Sequence, residues 1–252
     1  MASQKPYSII HEDEFTVVVN KASGIAVGGE RWDADAPRLD ILIKQELDLR
    51  EEKNGKTDLF TVHRIDKETS GLVIFAKDRD THKALSLAFE KRQAEKMYIA
   101  VVHGRPQWPN GKTSCELPLV PNGNKKHLTI IDQFRGKPSR TGFTLLLSIG
   151  NYSVVEARPE TGRTHQIRVH LAALGFPIVC DALYGKHARS GTEKGVYLSS
   201  FKRNWQGDET KERPLLARLG LHAARLALNG TVYEAPLSRD MAALIKQMEK
   251  KL

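Results

Sequence analysis

Leu59-Phe-Thr-Val-His-Arg-Ile-Asp-Lys-Glu-Thr-Ser-Gly-Leu-Val-Ile-Phe-Ala76 folds, on its own residue types, into two extended pieces around a polar corner. Leu59 to Asp66 is rich in β-branched and aromatic residues and reads as an extended segment. Lys67 to Gly71 carries the polar and Ser-Gly punctuation of a turn. Leu72 to Ala76 is a short apolar run, the signature of a buried strand.

The same alternation of strands and turns continues on both sides. Upstream, Phe15 to Asn20 reads as a strand and Lys21 to Gly24 as a turn. Gly28 to Ala36 is a polar loop, and Pro37 to Leu47 a helix with Leu39, Ile41, Leu42, Ile43 and Leu47 on its apolar face. Downstream, Asp78 or Asp80 caps a helix that runs to about Arg92, where Lys91 and Arg92 suit the negative end of the macrodipole. Strand-like runs follow at Met97 to Val102, Thr113 to Leu119, His127 to Ile131 and Thr141 to Ser148. Gly150-Asn151 then turns the chain into Tyr152 to Ala157. From Thr164 onward, Ile167, Leu171 and Leu174 line one helical face, with Gly175 as the stop. Phe201 to Arg213 is a polar loop, and Arg239 to Leu252 an amphipathic helix facing inward through Met241, Leu244, Ile245 and Met248. No repeat or linker interrupts the chain, so a single domain over residues 1–252 is the simplest expectation.

Composition narrows the class. With 40% hydrophobic and 27% charged residues in 252, the chain carries enough apolar surface for a sizeable core. Its formal charge of +9 favours a polyanionic partner. The two cysteines, Cys115 and Cys180, lie in apolar stretches and read as reduced thiols of a cytoplasmic protein. No stretch approaches a membrane span, so no membrane partner is expected.

Two peptides carry chemistry. In His63-Arg64-Ile65-Asp66, an extended backbone puts Arg64 and Asp66 on one face, and a nearby cation holds a carboxylate ionised and available at neutral pH. Taken alone, an Arg-x-Asp at a turn is more often a structural ion pair. In Thr161-Gly-Arg-Thr-His-Gln-Ile-Arg-Val-His170, polar and basic residues open a helix directly after a strand, which makes either an anion site or a well-capped helix start. His165 and His170 are five apart, a poor spacing for chelation on a helix, so no metal is expected. No glycine-rich phosphate loop appears, and no nucleotide cofactor is expected.

Together these peptides resemble the signature motifs of the RluA-type pseudouridine synthases. His63 to Leu72 is similar to the family's His-Arg-Leu-Asp-x-x-Thr-Ser-Gly-Leu, with Ile65 in place of Leu. Lys96-Met-Tyr-Ile-Ala-Val-Val-His-Gly resembles its Lys-x-Tyr-x-Ala-x-Val-x-Gly element, and Arg163-Thr-His-Gln-Ile-Arg-Val-His its Arg-x-His-Gln-Ile/Leu-Arg-Val-His. Ala22 stands where the family usually has Pro, Cys180 where it has Gly before Asp181-Ala-Leu-Tyr-Gly, and the His-Pro that often follows Leu221-His-Ala-Ala-Arg-Leu is missing.

The resemblance implies an α+β fold, a mixed and mainly antiparallel sheet in two halves flanked by helices, with an RNA-binding cleft and no S4-type domain. It implies isomerisation of specific uridines in ribosomal or transfer RNA without a cofactor; a monomer is expected, although no residue pattern bears on oligomeric state. Asp66 is then the catalytic carboxylate, Arg168 its partner, and Tyr98 the ring that stacks on uracil. Arg64 steadies the flipped-out nucleotide, and Arg163, His165, Gln166 and His63 are the remaining candidates for substrate contact, although His63 reads better as a residue that shapes the turn.

Overall fold

A computed structural model describes residues 5–29, 37–50, 58–122, 128–185, 195–201, 205–208 and 211–250. The chain packs as two compact units, one from Met1–Lys96 with Ala223–Pro236, the other from Met97–His222 with Leu237–Leu252.

In the first unit, β1 (Tyr7–Glu12) and β2 (Thr16–Lys21) form an antiparallel pair, and β2 pairs in turn with β4 (Ser70–Ala76). Between them lie α1 (Leu39–Arg50) and the two-residue β3 (Phe60–Thr61), which pairs with β4. Every residue of β4 is buried, as its unbroken apolar run requires. α2 (Arg79–Glu90) follows, capped by the Asp78 carboxylate, which accepts the Thr81 N–H.

The second unit opens on β5 (Glu95–His103). β6 (Lys112–Cys115), β7 (Leu119–Asn122) and β8 (Leu128–Ile131) come next, then the hairpin of β9 (Thr141–Ile149) and β10 (Tyr152–Pro159). β5, β10, β9 and β6 lie side by side in that order and pair antiparallel, while β7 and β8 make a separate hairpin. α3 (Gln166–Ala173) then crosses this sheet. The chain returns to the first unit through β11 (Leu221–Leu228) and β12 (Thr231–Glu234), and ends in α4 (Arg239–Glu249). The architecture is α+β with a mainly antiparallel sheet, as expected from the resemblance.

Each unit has its own core. In the first, Leu72, Ile74 and Ala76 of β4 pack with Val18, with Leu85 and Ala88 of α2, and with Leu226 and Leu228 of β11. In the second, strand alternation divides the apolar residues between two faces. Ala100 and Val102 of β5 meet Ile167 and Leu171 of α3, whereas Val101 meets Met241, Leu244 and Met248 of α4.

The differences from the sequence reading are local. α1 starts at Leu39 and buries Leu39, Ile43 and Leu47, leaving Ile41 43% exposed, because residues four apart share a helical face and Ile41 points away from it. Lys91 and Arg92 fall beyond α2 rather than in its last turn, and Arg92 takes a left-handed φ of 59°. Thr113 to Leu119 divides into β6 and β7 around Pro118, which has no N–H for a ladder. α3 begins at Gln166, two residues later than expected. His127 and much of the Gly28 to Ala36 and Phe201 to Arg213 loops lie outside the described residues.

Gly71, in the Ser-Gly of the corner, is required by backbone proximity. A Cβ there would lie 2.2 Å from the Ala223 carbonyl oxygen of β11, and its φ is +114°. Gly175 is also left-handed at +86° but faces open space. Gly71→Ala should therefore destabilise the protein by about 3 kcal/mol or more, since both clash and strain apply. Gly175→Ala should lose only about 1–2 kcal/mol, from strain alone. Urea denaturation of the two variants checks the order.

Candidate active-site residues

In the first unit the chain leaves the ladder after Thr61, and the segment carrying Arg64 and Asp66 is held by side chains instead. At its start, His63 Nε2 accepts the Ile74 N–H of β4 at 3.2 Å, and the ring stacks on Phe89 of α2 at 4.5 Å. At its end stands a fully buried lysine. Lys21, the last residue of β2, directs its ammonium at three carbonyl oxygens, those of Ala22 at 2.9 Å, Ile25 at 2.8 Å and Lys67 at 2.9 Å. Three N–H donors meet three acceptors, which is how a buried ammonium is tolerated. The turn is closed by Thr69 N–H to the Asp66 carbonyl, Gly24 N–H to the Lys67 carbonyl and Ser23 Oγ to the Glu68 carbonyl. Asp66 is thus half-buried between two fixed points, and Arg64 is exposed.

His63 accepts at Nε2, so the neutral ring carries its proton on Nδ1. Burial, with the Lys96 ammonium adding to it, pushes its pKa down to about 3. His63 therefore acts here as a neutral brace between β4 and α2, in keeping with a turn-shaping role.

In the second unit, Tyr98 sits on β5 opposite Ala157. It is half-buried and packs against the cluster beneath α3, on the same strand face as Ala100 and Val102. α3 carries Arg168, whose Nε and Nη2 each donate to the Asp181 carboxylate at 2.8 Å in a bidentate pair that is almost fully buried. The Asp181 Oδ1 also accepts the N–H groups of Leu183 and Tyr184. Burial pushes the Asp181 pKa up, but the Arg168 pair and these N–H groups outweigh it and hold the carboxyl below its usual range. The guanidinium lies 5.2 Å over the Tyr184 ring. Tyr184 Oη accepts the Thr129 N–H at 2.6 Å and lies 2.9 Å from His165 Nδ1.

The peptide Asp181-Ala-Leu-Tyr-Gly owes its form to this pair. Gly185 N–H returns to the Asp181 carbonyl, and a Cβ on Gly185 would lie 2.3 Å from that oxygen. Cys180 adopts φ 56°, a conformation that favours glycine, which accounts for the family's usual residue there.

Gln166 has no spare capacity for substrate. Its Oε1 accepts from Thr161 Oγ1 and Arg163 N–H, its Nε2 donates to the Arg140 carbonyl and Thr141 Oγ1, and the side chain is buried. His170 is buried too, with Nδ1 against Thr141 Oγ1 and Nε2 against the Leu117 carbonyl and Ser139 Oγ. Gln166 therefore braces the turn before α3. Arg163 donates from Nε and Nη2 to the Pro138 carbonyl, both at 3.3 Å, and remains half-exposed. His165, left-handed at φ 54°, caps α3 through its backbone only.

The structure adds Lys21, Asp181 and Tyr184 to the residues named from sequence. Lys21 finds its Lys67 acceptor 46 residues away, and Asp181 lies 13 residues from Arg168. No local pattern signals either contact.

The chain matches the RNA pseudouridylate synthase family over residues 15–173. It is 36% identical over 204 residues to ribosomal large subunit pseudouridine synthase D of Borreliella burgdorferi, covering 79% of this chain and 61% of that protein. To the protein of the same name in Zymomonas mobilis it is 30% identical over 250 residues, covering 96% and 73%. The chain thus spans between 61% and 73% of the length of these two relatives. Among solved structures, human RNA pseudouridylate synthase domain containing 4 aligns with a TM-score of 0.75 at 23% identity, over 96% of this chain and 93% of that one. Human RNA pseudouridylate synthase domain containing 1 aligns at 0.66 and 25% identity, over 94% and 86%.

Asp181→Ala strands a buried guanidinium and should destabilise the protein by about 3–5 kcal/mol in urea denaturation. His63 makes a pH-dependent contribution. Its folded pKa lies below the unfolded value, so its stabilisation is complete above about pH 6.5 and is lost as pH falls from there toward 3. The slope is at most about 1.4 kcal/mol per pH unit, one proton's worth. His63→Gln, which keeps an acceptor for the Ile74 N–H, should show a smaller difference in urea midpoint between pH 7 and pH 5 than the wild type.

Proposed function

The chain belongs to the RNA pseudouridylate synthase family, and from that premise we propose that it converts specific uridines of ribosomal RNA to pseudouridine. The observation that carries the reading is the position of Asp66. The carboxylate lies within the family match, half-buried, on a segment fixed at one end by His63 and at the other by Lys21. The names of the relatives favour ribosomal over transfer RNA, and such a substrate fits a basic cytoplasmic protein acting as a monomer.

The reaction breaks the bond from N1 of uracil to C1′ and joins C5 to the same carbon, with loss of the C5 proton and gain of one at N1. No atom is added and no electron is transferred overall, so the chemistry asks for a carboxylate, a proton acceptor and a grip on the detached base. Asp66 acts on the ribose and stabilises positive charge developing at C1′. Arg168 is the arginine of the reaction, held in place by the hydrogen bonds from its Nε and Nη2 to Asp181. Tyr98 stacks on the uracil while it turns and shuttles the C5 proton, its hydroxyl passing on its own proton as it takes the one from C5. Arg64 fills the space left by the extruded nucleotide.

Asp66→Asn preserves size and most hydrogen bonds but removes the charge. It should lower pseudouridine formation by about 10³-fold or more, equivalent to about 4 kcal/mol of barrier. The measurement is site-resolved pseudouridine mapping by carbodiimide modification and primer extension, on RNA from cells lacking the gene and complemented with either form. Sites restored equally by both forms would refute the assignment.

A further inference from the structure

We propose that Phe134 is a base-stacking finger for the substrate RNA, with Arg135 and Lys137 beside it to meet the flanking phosphates. The proposal rests on the reading of RNA as substrate and adds a binding site outside the residues assigned above.

Phe134 is 99% exposed, on the turn that follows β8. Single exposed apolar residues are ordinary on protein surfaces. This one is held in place by a closely built turn. Asp132 Oδ1 accepts the N–H groups of Phe134 and Arg135, both at 2.9 Å, and Oδ2 accepts from Arg135 Nε at 2.8 Å. Gly136 N–H donates to the Asp132 carbonyl at 2.9 Å, and a Cβ on Gly136 would lie 2.3 Å from that oxygen. Lys137 and Leu119 exchange both backbone hydrogen bonds, at 2.8 and 3.0 Å. The phenyl ring is thus displayed from a fixed backbone, where folding gains nothing from it.

The turn is also tied to the residues around α3. Pro138, two residues beyond Gly136, gives its carbonyl to the Arg163 guanidinium. β8, which leads into the turn, gives the Thr129 N–H to Tyr184, the ring beneath Arg168. Phe134 and Arg168 therefore hang from one connected network within the second unit.

The neighbouring chemistry selects the occupant. Arg135 keeps 78% of its side chain exposed although its guanidinium is pinned to Asp132. A single exposed aromatic ring followed by two basic residues, on a chain of net charge +9, suits an unpaired base with its phosphates. A stable protein interface calls instead for about 1,000 Å² or more of buried surface.

The test uses the full chain, with large-subunit ribosomal RNA isolated from cells lacking the gene as both binding probe and substrate. Phe134→Ala should raise Kd and KM about tenfold or more and leave kcat and the unfolding midpoint close to wild type. Phe134→Trp should retain wild-type affinity and add an indole fluorescence that the RNA quenches. Unchanged Kd and KM in Phe134→Ala, or an indole that RNA binds without quenching, would overturn the proposal while leaving the enzyme assignment intact. A wild-type chain that neither binds nor modifies this RNA overturns both. Loss of self-association in Phe134→Ala, with RNA parameters unchanged, assigns the ring to a second copy of the chain and also rejects the stacking role.

Discussion

The buried ammonium of Lys21 is the constraint on which the geometry around Asp66 depends. Taking an ammonium out of water carries a penalty of several kcal/mol, and only a full set of acceptors at hydrogen-bonding distance offsets it. Two of those acceptors, the carbonyls of Ala22 and Ile25, belong to the turn after β2; the third belongs to Lys67, the residue after Asp66. The charge therefore welds two turns that are far apart in sequence. Gly71 completes the weld from the other side, because β4 approaches β11 too closely there for any side chain. The two together explain why the corner after Asp66 is rigid although it contains almost no regular structure.

The second unit reaches the same end through neutral groups and one ion pair. Gln166 makes four hydrogen bonds and hands on to Thr141 and His170, which close the space beneath α3. Burial pushes the His170 pKa down, so this ring, like His63, is kept neutral and works as a hydrogen-bonding brace. Arg168 is fixed on two sides, by the Asp181 carboxylate along one edge and by the Tyr184 ring below its plane. A pair of this kind is costly to desolvate and gains its value from fixing geometry.

How much of this was legible in the sequence varied with the range of the contact. The Asp78 cap, the turn at Gly150-Asn151, the buried run of β4 and the inward face of α4 are set by neighbours within a few residues, and their residue types announce them. Tyr98 and Arg168 could be named only through the family motif, since nothing local separates a half-buried tyrosine on a strand from an ordinary core aromatic. The Lys21 and Asp181 contacts were silent, because each lies at the meeting of loops whose path is decided by tertiary packing. Ile41 misled the reading of α1 for the opposite reason: three adjacent apolar residues, Ile41 to Ile43, obscure which helical face the core selects.

Of the polar residues in the two motif peptides, Gln166 and His170 have their hydrogen-bonding side-chain atoms committed to the protein itself, and His63 commits its Nε2. Arg64, Glu68 and Thr164 are exposed, and Asp66, Lys67, Arg163 and His165, together with Tyr98 on β5, are half-buried. That division follows from the physics of an isomerisation in which the detached base must be kept, turned and rejoined. Such a reaction gains little from many reactive groups and much from a few that do not move, because a displacement of about an ångström at the reacting atoms already forfeits most of the benefit of orientation. Motif density in this chain therefore measures the rigidity of the mount at least as much as the number of residues that touch substrate.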